Sequence, residues 1–210
     1  MQQIILASGS PRRKDILEFL GIPFEVVVSH FPEENVDWED FDEAADYVCT
    51  IALGKVLSIS DQYPDALIIG ADTSVFLDGK VYGKPKDLSH ARTILQTLRG
   101  NRHEVVTGIV ILDTLTGQKD IQSVQSFVEF LPFSDEQLDA YIQTSESLGK
   151  AGAYAIQMGA KKFVKSVEGS LSNVVGLPIE EVASLLENFG VPIDVNVREI
   201  AEEHFTYSSA

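Results

Sequence analysis

The sequence contains little of what several classes of protein require. Cys49 is the only cysteine, so an internal disulfide and a cysteine-based metal site are both excluded. The four histidines show no metal-ligand spacing, and no apolar run reaches the length of a membrane span. The first residues carry no basic stretch ahead of a short apolar run, which predicts a strand rather than a signal peptide. These absences favour a cytoplasmic protein.

Basic residues are scarce as well. The chain has 16 lysines and arginines against 32 aspartates and glutamates, for a formal net charge of −16. A surface this negative repels nucleic acid and anionic membranes, so we expect neither as a partner. An anionic ligand can bind only where basic residues gather locally, which makes the positions of the few lysines and arginines informative.

Strand and helix patterns alternate along the chain, which predicts an α/β fold with a mixed central sheet flanked by helices. Apolar runs predict strands at residues 4–7, 24–28, 66–70, 74–77, 105–112, 124–131 and 163–167. Helical periodicity and end signals predict helices at residues 11–20, 42–60, 88–99, 134–143 and 179–188. We expect one domain over residues 1–194, followed by an acidic, disordered tail over residues 195–210.

The segment 6–13, Leu-Ala-Ser-Gly-Ser-Pro-Arg-Arg, runs from a strand through small residues into a helix. Ser10 suits the N-cap of that helix. Arg12 and Arg13 then fall in the first turn, where the helix dipole disfavours cations unless an anion binds there. The pattern therefore predicts an anion site, to which Ser8 and Ser10 would add hydroxyl donors. The alternative is an ordinary capped helix with solvated arginines.

Asp72 stands in segment 66–77, which otherwise has the character of an interior strand. A buried carboxylate is costly unless it is paired or bound to a metal, so this residue is a functional candidate. The alternative is an exposed aspartate at a bend after Gly70.

Two lysines are further candidates. Lys55 falls on the apolar stripe of helix 42–60, which places its ammonium either in solvent at the stripe's edge or inside a cleft. Lys84 and Lys86 flank Pro85, and this rigid turn can hold a lysine over a substrate, although solvated loop lysines are more usual.

Five motifs occur in a fixed order along the chain. They are Leu-Ala-Ser-Gly-Ser-Pro-Arg-Arg at 6–13, Gly-Ala-Asp-Thr at 70–73, Gly-Lys-Pro-Lys-Asp at 83–87, Lys-Ala-Gly-Ala-Tyr at 150–154 with Ile156 and Gln157, and Ser-Asn-Val-Val-Gly-Leu-Pro at 172–178. Together they resemble the Maf family of nucleoside triphosphate pyrophosphatases, also named septum formation inhibitors. The resemblance runs from Ile4 to about Phe189.

The resemblance implies a two-lobed fold similar to that of inosine triphosphate pyrophosphatase, with the active site in the cleft. It implies hydrolysis of dTTP and UTP to the monophosphate and pyrophosphate, assisted by Mg²⁺, with Mn²⁺ as the alternative metal. Asp72, Lys55 and Lys84 take the catalytic positions, and Glu33 with Asp72 the metal-binding ones. The implied substrate-binding residues are Ser8, Ser10, Arg12, Arg13, Thr73, Lys150 and Gln157.

Two departures from the family pattern concern one acidic contact and the loop around the base. Gly149 stands where the family usually has an aspartate, and Met158 separates Gln157 from Gly159. A different class of function stays open, namely a nucleotide-binding regulator of septum formation that turns over little substrate. A homodimer is kept as a candidate assembly.

Overall fold

The computed structural model describes residues 2–207. In this range the elements follow in the order β1 (Gln3–Ala7), α1 (Pro11–Glu18), β2 (Glu25–Val27), α2 (Ala44–Ser60), β3 (Ala66–Leu77), β4 (Lys80–Tyr82), α3 (Leu88–Leu98), β5 (Arg102–Asp113), β6 (Lys119–Phe130), α4 (Asp135–Gln143), β7 (Val164–Glu168), α5 (Leu171–Val175), α6 (Ile179–Asn188) and α7 (Val197–His204). Short 3₁₀ turns at Glu33–Asn35, Trp38–Asp40, Ala151–Ala153 and Gly159–Phe163 lie in the connections.

The described strands form one mixed sheet in the order β2-β1-β3-β5-β6-β7, and β4 pairs with β3 as a hairpin. β1 is parallel to β2 and β3, whereas β3, β5, β6 and β7 are antiparallel in succession. Side chains alternate along β1, so that Ile4 and Leu6 enter the larger core while Ile5 and Ala7 enter a smaller one beneath α2. The predicted mixed α/β class is confirmed.

Helix α2 packs directly against the sheet at two glycines that face it. A Cβ on Gly108 of β5 would come within 2.6 Å of the backbone of Val48 and Cys49. A Cβ on Gly70 of β3 would lie 2.4 Å from the Val56 side chain. Glycine therefore permits the close approach, which brings the middle of α2 over the middle of β3.

Two sequence expectations need correction in the first half of the chain. The predicted strands at 66–70 and 74–77 are one continuous strand, β3, because Asp72 is tolerated inside it by charged partners. Ser10 occupies the N-cap of α1 as predicted, but its side chain makes no capping hydrogen bond.

The expectation of a disordered tail is wrong over the described part of the segment. Asn196 caps α7, whose Ile200 packs against the larger core. Phe205 is buried, and the Tyr207 hydroxyl donates to the Val164 carbonyl at 2.7 Å. The acidic composition hid an apolar helix face with the spacing of Val197, Ile200 and Ala201. Residues 208–210 lie outside the described residues.

Candidate active site

A cleft of about 690 Å³ opens where β1 passes into α1. Its walls include the β1–α1 loop, the loop after β4, the segment before and after the 3₁₀ turn Ala151–Ala153, and the end of α5. Five of the chain's 16 basic residues line it, namely Arg12, Arg13, Lys55, Lys84 and Lys150. The local cation cluster that the charge argument required is therefore present.

Lys55 joins two carboxylates at the floor of the cleft. Its Nζ lies 2.6 Å from Asp72 Oδ1 and 3.1 Å from Glu33 Oε1, and only 5% of its side chain is exposed. Lys84 Nζ pairs with the other Glu33 oxygen at 3.0 Å. Of the two alternatives for Lys55, the cleft position is confirmed. Asp72 is likewise buried and paired, not exposed at a bend.

Both carboxylates are ionised at neutral pH. Burial by itself raises the pKa of Asp72, but the charges of Lys55 and Arg13 outweigh it and leave the pKa below its ordinary value. Burial also opposes ionisation of Glu33, yet Lys55 and Lys84 lower its pKa overall. Asp72 stands behind Lys55, whereas Glu33 lines the cleft itself.

Arg13 is buried and tied to three elements. Its Nε donates to the Gly176 carbonyl at 2.8 Å, Nη2 to Thr73 Oγ1 at 3.0 Å and Nη1 to Ser8 Oγ at 3.4 Å. Arg12 Nε donates to the Val175 carbonyl at 3.3 Å. The alternative of solvated arginines is wrong for Arg13.

The arginines are held by the carboxyl end of α5. The last carbonyls of a helix lack intrahelical partners and carry partial negative charge, so they suit guanidinium donors. Gly176 ends α5 with φ 129°, in the region that favours glycine. Although the motif at 172–178 stood out in the sequence, its task of anchoring residues 163 positions earlier could not be deduced from it.

Ser8, Ser10 and Thr73 all line the cleft beside Arg13. Ser8 Oγ accepts from the Ser10 N–H at 3.2 Å, which shapes the loop before α1. Thr73 Oγ1 lies 2.9 Å from Thr107 Oγ1, and Thr107 donates onward to the Asn173 carbonyl at 3.3 Å. Sequence reasoning missed Thr107, whose only signal was a hydroxyl within the apolar run 105–112.

One wall of the cleft, from residues 149–158, carries Lys150 and Gln157, together with both departures from the family pattern, Gly149 and Met158. Lys150 Nζ donates to the Glu146 carbonyl at 2.6 Å. Partial burial and the neighbouring Arg12 lower the pKa of Lys150. Gln157 and Met158 are exposed. All predicted site residues thus meet at one cleft, with Asp72 directly behind its lining.

The carboxylates fit a metal that binds together with a phosphate ligand. Within residues 2–207, no three His, Cys, Asp or Glu side chains form a group able to hold a metal by themselves. Glu33 and Asp72 nevertheless offer hard oxygen donors on either side of Lys55 Nζ. Mg²⁺ is commonly held by one or two carboxylates plus substrate phosphates, so the donor chemistry suits it.

Membrane insertion finds no support among the helices of residues 2–207, none of which has the length and hydrophobicity of a transmembrane segment.

The structure has a mixed α/β fold with a cationic cleft and a buried lysine–carboxylate pair. Both features agree with the family that the ordered motifs of the sequence resemble. The sequence model of the family described as Maf-like protein matches residues 3–189, and the chain belongs to this family. A protein named dTTP/UTP pyrophosphatase from Symbiobacterium thermophilum is 42% identical over 194 residues, which cover 92% of this chain and 97% of that protein. A protein of the same name from Ruminiclostridium cellulolyticum is 42% identical over 193 residues, covering 92% and 99%.

Among solved structures, a HAM1 protein from Coxiella burnetii aligns with a TM-score of 0.52. The alignment covers 90% of this chain and 100% of that chain at 13% identity, so it shows a shared fold alone. The overall fold expected from the resemblance is therefore confirmed.

Proposed function

We propose that this protein is a nucleoside triphosphate pyrophosphatase that hydrolyses dTTP and UTP to the monophosphate and pyrophosphate. The observation that carries the proposal is the Glu33–Lys55–Asp72 network, with Arg13 beside it at the floor of the cleft. The two relatives reported above bear the name of this activity and span nearly the same length. We expect the protein to act in the cytoplasm, where nucleotides are abundant.

The chain's own residues would bind and orient the triphosphate. Arg13, Lys55 and Lys84 would offset the charge that develops on the leaving pyrophosphate. Water would attack the α-phosphorus, and the bond from this atom to the oxygen that bridges the α- and β-phosphates would break. Pyrophosphate would leave, and the attacking water would lose a proton. Glu33 and Asp72 are ionised and can hold the metal or accept that proton. When bound, Mg²⁺ would neutralise phosphate charge and lower the pKa of a bound water.

The alternative, a nucleotide-binding regulator of septum formation, would need the binding residues but not the buried network. A regulator gains nothing from an ionised Asp72 enclosed by two cations, which costs desolvation energy. The network therefore favours turnover over binding alone.

The test is product identity. Purified protein is incubated with dTTP and Mg²⁺, and the products are resolved by ion-exchange chromatography. Monophosphate and pyrophosphate in equal amounts support the proposal, and EDTA should abolish their release. Diphosphate with orthophosphate would contradict it, and tight binding without products would support the regulator.

A further inference from the structure

The short stretch that carries Gln157 is held at both ends by side chains, one from Tyr141 within α4 and one from Glu146, shortly after that helix ends. At one end, the Ala155 N–H donates to the Tyr141 hydroxyl at 3.0 Å. At the other, the Gly159 N–H donates to Glu146 Oε2 at 2.8 Å. Between these two hydrogen bonds, Gln157 and Met158 are exposed and line the cleft.

The side chains that accept these two hydrogen bonds differ in burial and in charge. Tyr141 is buried, and burial raises the pKa of its phenol to about 12, so the hydroxyl stays neutral. Glu146 is only partly buried, but its carboxylate accepts a charge-assisted hydrogen bond from the Gly159 backbone. The Glu146 carboxylate is therefore the side chain that holds the Gly159 end of the stretch, in addition to the backbone hydrogen bond from the Met158 N–H to the Ala155 carbonyl at 3.0 Å.

A larger residue at position 159 would displace the Glu146 carboxylate. A Cβ on that residue would lie 2.8 Å from Glu146 Oε2 and 3.3 Å from the Tyr141 ring. Ser145, directly before Glu146, has φ 60°, a conformation that costs energy in a residue other than glycine. Ser145 lies in the turn that ends α4, where its N–H donates to the Ile142 carbonyl at 3.1 Å.

Glu146 also contacts a lysine of the cleft lining, through a different atom. Its backbone carbonyl accepts from Lys150 Nζ, while its carboxylate holds Gly159. Replacement of the side chain therefore removes the second contact and keeps the first. The two departures from the family pattern are near in sequence to these residues, since Gly149 comes shortly after Glu146 and Met158 directly before Gly159.

We infer that Glu146 is a positioning residue for base selectivity, acting through the Gly159 N–H to fix the stretch that presents Gln157. The inference rests on the proposed function, because selectivity has meaning only if a pyrimidine nucleotide is turned over. A preorganised amide discriminates between bases, whereas an amide on a mobile stretch can rotate to satisfy either.

The test compares Glu146→Ala, Glu146→Gln and, as a matched control, Glu187→Ala, an exposed glutamate of α6 that does not line the cleft. The ratio of kcat/KM for dTTP over CTP is measured for each. We expect Glu146→Ala to lower the ratio about tenfold, within the range for loss of one hydrogen-bonded constraint. Glu146→Gln keeps an acceptor oxygen and should retain most of the ratio, and Glu187→Ala all of it.

A second readout needs no turnover. Hydrogen exchange of the backbone amides at 155–159, followed by mass spectrometry without nucleotide, should be faster in Glu146→Ala than in wild type or Glu146→Gln. An unchanged ratio or unchanged exchange in Glu146→Ala would overturn the inference while leaving the proposed function in place. A wild-type protein without turnover or without preference for dTTP would instead overturn the proposed function, and the inference with it.

Discussion

The site depends on single charged residues placed where the sequence would otherwise be apolar. Lys55 lies on the buried stripe of α2, and Asp72 lies in the interior strand β3. Each is affordable only because the other is present, since an unpaired buried charge is strongly destabilising. Glu33 adds a second carboxylate from a connection far along the chain, and so leaves Lys55 paired even if Asp72 is changed.

Asp72→Asn separates charge from shape. We expect pyrophosphate release to fall by roughly two to three orders of magnitude, the scale of losing one preorganised electrostatic contact. The fold should persist, because Glu33 still pairs with Lys55, although stability should drop by less than the roughly 3–5 kcal/mol of a fully broken buried pair. Asp78→Asn, in the exposed β3–β4 turn, is the control for turnover and thermal melting. Near-normal turnover in folded Asp72→Asn protein would remove Asp72 from the mechanism.

His103 provides a pH-dependent contribution to stability. It is buried, its Nε2 lies 3.0 Å from the Tyr154 hydroxyl, and burial lowers its pKa to about 4. Because the unfolded value is about 6.5, the neutral ring stabilises the fold fully above pH 6.5. That stability is lost as pH falls towards 4, by about 3 kcal/mol in total.

Urea unfolding at pH 7 and pH 4.5 tests this contribution. The difference in unfolding free energy between the two pH values should be smaller in His103→Gln than in wild type. Equal differences in the two proteins would mean that His103 accepts a proton within the fold at no cost.

At the scale of elements, the site is assembled by contacts that no local pattern contains. The apolar stripe of α2 predicts the helix, but it does not decide whether the Lys55 ammonium lies in solvent or inside a cleft. The cleft position follows from Gly70 and Gly108, which let α2 approach the sheet until Lys55 reaches Asp72. Similarly, the start signals of α1 were legible, but the anchoring of Arg13 by α5 was not, because partners 163 residues apart share no sequence signal. The acidic composition of residues 195–210 predicts a disordered tail, whereas the spacing of Val197, Ile200 and Ala201 is what indicates the helix α7.

Arg13→Ala tests the junction of α1 and α5. With its Nε held by Gly176, the guanidinium is oriented before any ligand arrives, so its removal should raise KM for dTTP about tenfold to a hundredfold. Added salt should weaken binding of the wild type more than that of the variant, because the lost contact is ionic. Arg198→Ala, an exposed arginine of α7, is the control. Equal KM values in Arg13→Ala and wild type would mean that the side chain serves only to hold α1 on α5.

At the scale of the molecule, the charge distribution separates a repelling surface from an attracting cleft. The chain carries a net charge of −16, yet five cations converge on one opening. Only a ligand that enters the cleft meets them, and its phosphates are common to every nucleotide. Discrimination between bases must therefore come from the wall of residues 149–158, where Gln157 is exposed beside Met158.

Gln157 suits uracil and thymine for a stated chemical reason. Their ring edge presents an N–H donor beside carbonyl acceptors, and a glutamine amide offers an acceptor and donors in one plane. When the amide is held so that its oxygen accepts from N3–H and the bound base encloses it, cytosine, which lacks that donor, would leave a polar group unsatisfied at a cost of about 1–3 kcal/mol. We expect kcat/KM for dTTP and UTP to exceed that for CTP, dATP and GTP on the order of tenfold to a hundredfold.

A panel of these nucleotides, measured on wild type and on Gln157→Ala, tests the assignment. The variant should lose the preference among bases while the phosphate contacts of Arg13 and Lys55 persist, so the poorer substrates should change least. The panel also includes 7-methylguanosine triphosphate, a modified purine nucleotide. A preference for that nucleotide would contradict the assignment of a uracil or thymine base to Gln157. A panel unchanged by Gln157→Ala would instead shift base recognition to another residue of the wall, with the adjacent Met158 as the first to examine.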